Sequence, residues 1–423
     1  MSTVNPATRR DHAILQPLVD RLLTAASLPI QEERKRLWAD HQALLPPSKV
    51  PVCVYYEGIP IPQWEAMLGP RALGCQGDVA RSIEFDLRRI LWVSDHVPDD
   101  HIVWPAIVVD AVKVREVSWG VPLAWEGSRT GVDDPLEARR IVAPFAAGVD
   151  LDRLRFADIE VDREATAKRM ALARELVGDR LKVHVRWPDL GHSPFDIAAR
   201  MCGLENLLVA CIDAPETVRE LVGFLTRSHV AHHARRAAEG RLNCWRDGQY
   251  AAVGFRVHCW RPGSPLAEQA AGRLADEWAY VSAQTSSGLG PRHYERLIEA
   301  SNQSLAAPFT QGTVYYHGCE CLDGKIDSIA RIPNLRRFHV SPWSSLERAK
   351  RRFGGAVVCE VHSNPSEVFF GAEAADIRRR LRRLVEIGEG IPMDLNLSDI
   401  HSIGGRPELL TEWARQAQSV AFR

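Results

Sequence analysis

The chain has 423 residues, of which 45% are hydrophobic and 25% charged, a composition typical of a globular protein with ample core. Its 53 basic and 54 acidic residues give a net charge of −1, which provides no overall attraction to nucleic acid or to an anionic membrane. No stretch approaches the ~20 apolar residues of a spanning helix, and the N-terminal sequence lacks the apolar segment of a signal peptide. Nine widely spaced cysteines favour reduced thiols, so we expect a cytoplasmic protein without nucleic-acid or membrane partners.

The N-terminal part of the chain is predicted to be helical. Leucine and valine residues recur at helical spacing from Leu15 to Leu23, and a second helix is predicted over about 31–44, ended by Pro46 and Pro47. The β-branched and aromatic run VPVCVYYEG (50–58) then predicts a buried strand. We therefore expect an N-terminal helical extension over 1–47 and a catalytic domain over 48–423.

The rest of the chain alternates between strand and helix. A strand-like run at 101–112 precedes a stretch with little predicted regular structure at 115–150. Next come a helix at 162–177, a strand at 181–187 and helices at 195–209 and 215–237. Further strands are predicted at 279–283, 313–319, 335–341, 356–362 and 391–397, with helices at 291–307, 325–331, 344–353, 366–388 and 406–419.

This alternation predicts parallel strands joined by crossover helices, an α/β fold. Seven or eight such strands favour a closed (β/α)8 barrel of the TIM type. The alternative is an open doubly wound sheet, but no glycine-rich phosphate loop follows its first strand. In a barrel, the active site lies at the carboxyl ends of the strands.

The sequence TVYYHGCECLDG (313–324) places histidine and cysteine at the end of a predicted strand. His317 and Cys319 are two positions apart, so both side chains point the same way. Nitrogen and sulfur are ligands that zinc prefers, which predicts a metal site; two buried thiols beside a satisfied imidazole are the alternative. Glu320 is a candidate acid or ligand, although it points to the other face.

A third ligand must come from a later strand end. His362 closes the strand of VVCEVHSNP, while Asp399 and His401 follow the last strand in LSDIHS. We predict that Asp399 or His401 completes the metal site, and that Glu320, His362 and Asp399 take part in catalysis.

Several other polar groups are predicted to be structural. His339 lies mid-strand and is predicted to belong to the core. Three histidines on one helix (229, 232 and 233) read as an exposed helix end. The arginines at 378–380, 382 and 383 read as a solvated helix face.

Several motifs together resemble the uroporphyrinogen decarboxylase superfamily. They are HSPFDIAARMCGLENLLVACIDAPETVRELVGFLT (192–226) and, in the family's order, YVSAQTSSGLGPRHYERLI, TVYYHGCE, IPNLRRFHVSPW and VHSNP. The resemblance covers about 180–420 well and 50–180 loosely. It implies a single barrel with an N-terminal helical extension.

The superfamily contains two chemistries. Its decarboxylases grip substrate carboxylates with an arginine-rich segment near the first strand, whereas this chain has no arginine between 37 and 70. Its cobalamin-dependent methyltransferases carry His–x–Cys on the strand matched by His317 and Cys319, and a third zinc-binding cysteine on the last strand. Here the last strand provides no cysteine. The site therefore has an oxygen or nitrogen ligand, or the chain resembles members that transfer methyl to tetrahydrofolate without zinc.

The resemblance implies a methyltransferase that moves a methyl group between a corrinoid and a small molecule. Zinc and cobalamin, free or on a partner corrinoid protein, are the implied cofactors, and a homodimer is allowed. Tyr55, Tyr316 and His192 are the predicted cofactor-binding residues. Two alternatives remain: a non-enzymatic corrinoid- or tetrapyrrole-binding protein, and a cofactor-independent decarboxylase or lyase that uses the set Tyr55, Tyr56, Arg186, Asp189 and His192.

Overall fold

The structure is a computed structural model. It describes residues 6–45, 48–69, 73–115, 117–126, 140–190, 193–243, 251–252, 255–256, 274, 277–310, 314–371 and 373–422.

Fourteen strands occur in the described part of the chain. They are β1 Val52–Val54, β2 Ala106–Asp110, β3 Val112–Lys113, β4 Ala124–Glu126, β5 Arg140–Val142, β6 Val161–Asp162, β7 Lys182–Arg186, β8 Ala251–Ala252, β9 Phe255–Arg256, β10 Ala279–Ser282, β11 Val314–His317, β12 Leu335–Val340, β13 Val358–Ser363 and β14 Met393–Leu397.

The same described part of the chain contains fifteen α-helices, which lie between and around these strands. They are α1 Arg9–Ala26, α2 Pro29–Gln42, α3 Ile61–Leu68, α4 Asp78–His96, α5 Arg163–Val177, α6 Pro194–Cys202, α7 Leu204–Asp213, α8 Pro215–Ala238, α9 Pro291–Tyr294, α10 Ala300–Ala306, α11 Ile326–Ile329, α12 Leu346–Phe353, α13 Pro365–Phe370, α14 Ala374–Ile387 and α15 Glu408–Ala421. A π-helical turn, Glu295–Glu299, joins α9 to α10.

The main sheet has six parallel strands in the order β1-β14-β13-β12-β11-β10, so the first strand of the chain pairs with the last. Strands β2 and β7 form a second parallel pair. The prediction of an α/β fold with parallel strands is confirmed. The ladders between described residues do not join the two sheets into one ring, so the closed barrel stays a prediction.

The two faces of the main sheet differ in chemistry because successive side chains alternate between them. One face is apolar and packs into the largest hydrophobic core, with Phe338, Val340, Val361, Leu395 and Leu397. The other face is buried but polar, and its residues are Tyr315, His317, Arg337, His339, Glu360, His362, Asp394 and Asn396. Adjacent strands place these polar side chains side by side, as in the pairing of His339 with Glu360. This polar face positions the candidate site.

The structure corrects three predicted elements. The helix predicted at 195–209 is two helices that break at Gly203, whose φ of +83° lies in the left-handed region that glycine tolerates best. The helix predicted at 366–388 ends at Phe370 and begins again at Ala374. The stretch at 115–150, predicted to be irregular, contains the antiparallel pair β4 and β5.

The predicted N-terminal extension contributes to the interior of the molecule. Helix α1 packs against α4 and α5 through a core that includes Leu15, Val19 and Leu22. From α2, His41 places Nε2 2.7 Å from Oδ2 of Asp394 in β14. The division of domains at residue 47 stays a prediction. No helix in the described part of the chain is long and apolar enough to cross a bilayer.

Candidate functional site

The candidate site lies where β11 ends on the polar side of the sheet. His317 is the last residue of β11, and its Nε2 lies 3.0 Å from Sγ of Cys319. The same sulfur lies 3.4 Å from Oδ2 of Asp399, in the segment after β14. The structure thus brings a carboxylate next to a thiol and an imidazole, although Asp399 lies 82 positions after His317 in the sequence. All three stand at the carboxyl ends of parallel strands, where α/β proteins usually bind ligands.

The backbone at Asp399 is unusual. Its φ is +54°, a left-handed conformation that aspartate adopts more readily than most residues. The backbone N–H of His401 donates to the carbonyl of Asp399 at 3.0 Å. The residue His401 itself is exposed, and its carbonyl accepts from Nε2 of Gln63 at 3.1 Å. Of the two predicted third ligands, the structure places Asp399 next to the thiol.

Burial and charge set the protonation of this group. Burial raises the pKa of the Cys319 thiol, and the neighbouring carboxylate of Asp399 raises it further. Burial lowers the pKa of His317 to about 4, so the imidazole is neutral at pH 7. A cation between these side chains would reverse the preference of the thiol, because coordination favours the thiolate.

The second ring nitrogen of His317 enters a chain of hydrogen bonds. Its Nδ1 lies 2.9 Å from Oη of Tyr315 and 3.0 Å from Nδ1 of His339. The Tyr315 hydroxyl donates its proton to Oε1 of Glu360 at 2.7 Å, so its oxygen can accept from Nδ1–H of His317, while Nδ1 of His339 lies 3.1 Å from the same oxygen. We infer that this chain leaves the lone pair of His317 on Nε2, facing Cys319.

A buried ion-pair network lies next to this chain of hydrogen bonds and fixes the position of Glu360. Arg337 donates from Nε and Nη2 to Oε2 of Glu360 at 2.9 and 2.6 Å, and from Nη2 to Oδ2 of Asp394 at 2.6 Å. Burial alone would raise the pKa of Glu360, but Arg337 and His362 hold it well below its usual value. Burial also opposes ionisation of Asp394, but Arg337 and His41 lower its pKa. The sheet interior therefore contains fixed charges.

A second group of ligand-type side chains lies beside this network. Ligand atoms of His339, Glu360 and His362 all lie within 4.8 Å of one another. However, the two imidazoles stack with centroids 3.9 Å apart and planes only 12° from parallel. Because an imidazole binds a metal in its ring plane, two nearly parallel stacked rings do not share one ion. Hydrogen bonding fits better, since Nε2 of His362 lies 2.7 Å from Oε1 of Glu360.

Glu320, the residue after Cys319, belongs to a separate buried ion pair with Lys325. Its side chain is 9% exposed, and Nζ of Lys325 is 3.5 Å from Oε1. Burial raises the pKa of Glu320 to about 7, against the opposing effect of Lys325. The ammonium also donates to the carbonyl and hydroxyl of Ser286 at 2.9 and 3.0 Å. The catalytic role of Glu320 stays a prediction.

The predicted cofactor-binding residues have different surroundings. Tyr55 is buried and stacks on His362 with centroids 6.2 Å apart. Tyr316 lies on the apolar face of the sheet, and its Oη is 2.9 Å from Oη of Tyr294. His192 lies outside the described residues. Cofactor binding by these residues stays a prediction.

The histidine cluster of helix α8 is not the exposed helix end that the sequence predicted. His229 and His232 are buried, and Nε2 of His232 lies 3.5 Å from Oδ1 of Asp189. Arg236 bridges Asp189 and Glu277 at 3.1 and 2.6 Å. The buried face of this helix is apolar in its first half, with Val218, Leu221 and Leu225, and polar in its second half, which is why the histidines looked exposed in the sequence.

Sequence reasoning missed three residues of the polar face, namely Tyr315, Arg337 and Glu360, and assigned His339 to the core. A signal was present, because the strands repeat polar residues at every second position, as in Arg337–His339 and Glu360–His362. Strands of a parallel sheet are usually apolar on both faces. Alternating polarity in such strands therefore indicates a polar interior.

Comparisons with known proteins give a distant similarity. No protein-family model matches the chain, and no curated protein matches it. Among solved structures, the chain is similar to a methyltransferase from Methanosarcina mazei, with a TM-score of 0.49 and 11% identity over 91% of this chain and 98% of that chain. A likeness this distant identifies neither function nor site residues.

Proposed function

We propose that this protein transfers a methyl group between a corrinoid and a small-molecule acceptor, with a metal held by His317, Cys319 and Asp399. The observation that carries the proposal is the thiol placed 3.0 Å from an imidazole nitrogen and 3.4 Å from a carboxylate oxygen at a strand end. The resemblance of the His–x–Cys strand to cobalamin-dependent methyltransferases supplies the reaction class.

The donor set fits zinc. Zinc–nitrogen and zinc–oxygen bonds are near 2.0–2.2 Å and zinc–sulfur bonds near 2.3 Å, so tetrahedral ligands lie roughly 3.3–3.7 Å apart. The Cys319–Asp399 separation of 3.4 Å agrees with this, and the His317–Cys319 separation of 3.0 Å needs a shift of a few tenths of an ångström. The ligand atoms of His317 and Asp399 lie more than 4.8 Å apart, so metal binding requires the Asp399 carboxylate to move toward the imidazole. One imidazole, one thiolate and one carboxylate balance the two charges of the ion. The fourth position remains for the acceptor.

When bound, zinc would supply Lewis-acid activation of the acceptor, lowering the pKa of its thiol or hydroxyl. The chain's own residues orient the site. Tyr315 lies against Nδ1 of His317, whose Nε2 faces the sulfur, and the segment with the left-handed turn at Asp399 places its carboxylate beside the same sulfur.

The charge of the site argues against a polycarboxylate substrate. Carboxylates outnumber cations around the polar face, where the acids are Asp196, Glu320, Glu360, Asp394 and Asp399 and the bases are Lys325 and Arg337. Two members of the residue set predicted for the decarboxylase alternative have other partners: Arg186 pairs with Asp110, and Asp189 pairs with Arg236. We therefore propose no decarboxylase activity.

The proposal includes a (β/α)8 barrel. The two parallel sheets contain eight strands (β1, β2, β7, β10, β11, β12, β13 and β14), the number that such a barrel requires. Pairing of β14 with β1 brings the last strand back to the first. A corrinoid, free or on a partner protein, would then approach over the carboxyl ends. The cytoplasmic location and the homodimer stay predictions.

Metal content and methyl transfer test the proposal separately. We expect about one zinc per chain after expression with added zinc, and below about 0.2 per chain the metal site would be rejected. We also expect the protein to accelerate demethylation of methylcobalamin by a small thiol, followed by its absorbance. If the metal-loaded protein methylates none of the tested thiol and hydroxyl acceptors, the metal site would stand and the proposed reaction would be rejected.

Tyr315→Phe is expected to lower zinc affinity about 10- to 100-fold, because it removes the oxygen that orients the ring of a metal-binding histidine. Competition with a chromogenic zinc chelator measures the change. Tyr316→Phe is the matched control, since it removes the same atom from the adjacent residue on the opposite face of the strand. Equal affinities in the two variants would contradict the orienting role of Tyr315.

A further inference from the structure

Helices α12 and α14 concentrate positive charge on one side of a nearly neutral chain. Their exposed arginines are Arg348, Arg351, Arg352, Arg378, Arg379, Arg380, Arg382 and Arg383. The helices are fixed side by side, because Nζ of Lys350 in α12 donates to the carbonyls of Ile387 and Glu389 at 2.9 and 2.7 Å. The two arginine-bearing helices are therefore held next to each other.

Acidic neighbours neutralise only part of this charge. Arg352 pairs with Asp327, Arg379 with Asp376, and Arg380 with Glu367. The other five have no ion pair with any described residue, and we call them the α12–α14 surface: Arg348, Arg351, Arg378, Arg382 and Arg383. Their fields overlap across the two helices. The pKa of Glu347 is lowered by hydrogen bonds from its own backbone N–H and from the Ser345 hydroxyl. Arg383 of α14 and Arg351 of α12 lower it further, so both helices act on the same carboxylate.

A cleft of about 280 Å³ lies beside Arg380, on the same helix α14. It lies between the segments after β12 and β13 and the inner side of α14. Its apolar lining includes Val340, Val361, Ile377, Leu381, Leu384 and Trp413, and its polar lining includes Ser341, His362, Asn364 and Glu367, whose carboxylate pairs with Arg380. Arg380 lines its α14 side, and Trp343, which is 59% exposed, lines its mouth. Helix α14 thus presents apolar side chains to the cleft and arginines to solvent.

We propose that the α12–α14 surface and this cleft dock an acidic protein segment that inserts one apolar side chain. Protein interfaces combine arginine and aromatic side chains with an apolar pocket for an anchoring residue. Nucleic acid would use the arginines but leave the apolar cleft without a role, and a membrane surface is too flat to fill it. Complementary charge would steer the partner to the surface. This inference is independent of the proposed methyl transfer.

The probe is a fluorescein-labelled, glutamate-rich peptide with a single central leucine. We expect binding that weakens with salt, and a loss of about 10-fold or more in the variant Arg378→Glu/Arg382→Glu/Arg383→Glu. Replacing the peptide's leucine with serine is expected to weaken binding about 5-fold or more, because the anchor leaves the cleft. The matched control is Arg9→Glu/Arg10→Glu, which changes exposed arginines at the start of α1.

Three outcomes would overturn the proposal. Equal peptide binding by the triple variant and the wild type would show that the surface does not bind acidic segments. Tighter binding of a 14-base-pair DNA duplex than of the peptide would assign the surface to nucleic acid. Tighter binding of phosphatidylserine vesicles would assign it to a membrane. Circular dichroism of the triple variant confirms that exposed substitutions leave the fold intact.

Discussion

Cys319→Ala is expected to abolish stoichiometric zinc binding and to reduce methyl transfer from methylcobalamin by about 100-fold or more, since it removes the central ligand of the proposed site. Zinc content and the rate of methylcobalamin loss are measured on the same preparation. Cys321→Ala is the matched control, because that thiol lies two residues further along the chain and is exposed. It should retain both zinc and rate. A Cys319→Ala protein that keeps its zinc would place the metal elsewhere.

The same measurements separate the two predicted third ligands. Asp399→Asn should lose zinc affinity, since the carboxylate lies 3.4 Å from the sulfur and asparagine binds zinc poorly. His401→Ala should retain it, because that residue is exposed. The reverse result would show that the segment after β14 rearranges when metal binds, and would exchange the roles of these two residues.

The features that depend on local sequence were predictable. Bounds of the later strands agree closely, as in the prediction of 335–341 for Leu335–Val340, because period-two burial and turn residues mark them. The earlier predictions were too long: the run at 50–58 contains only the strand Val52–Val54, and the run at 101–112 contains β2 and the start of β3. The pairing of His317 with Cys319 followed from their spacing alone. Helix breaks at Gly203 and after Phe370 were missed, since a single glycine does not end a helical pattern without its backbone conformation.

The features that depend on strand order and register were not predictable. The contact between His41 and Asp394 joins residues 353 positions apart and requires β1 to lie beside β14. Likewise, Glu360 of β13 reaches Tyr315 of β11 only because the two strands lie on either side of β12 in a register that brings these side chains together. The position of Asp399 depends on a left-handed turn that the sequence SDIHS does not require. Spacing therefore predicted the contact between His317 and Cys319, and strand order determined which residues surround it.

The polar interior links site geometry to stability. Buried ion pairs gain little over apolar packing, yet they fix the positions of their members. Here Arg337 holds Glu360, Glu360 accepts from Tyr315, and Tyr315 orients His317. Loss of the first member should therefore affect both folding and the metal site.

Arg337→Met is expected to lower the free energy of unfolding by about 3–5 kcal/mol, because it leaves two buried carboxylates without their shared cation. Urea denaturation measures the loss. Arg352→Met is the matched control, since its pair with Asp327 is exposed and should contribute at most about 1 kcal/mol. Comparable losses in the two variants would contradict a special role for the buried network.

The pH dependence identifies the cause of that loss. Arg337 lowers the pKa of Glu360 and Asp394 in the folded state, so their stabilisation is complete above the unfolded value of about 4 and is lost as pH falls through the folded values. In Arg337→Met the folded values rise, and protonation relieves the uncompensated charge. The stability difference between the proteins should therefore be largest at pH 7 and shrink toward about pH 4. A difference that stays constant over this range would instead arise from lost packing around the side chain.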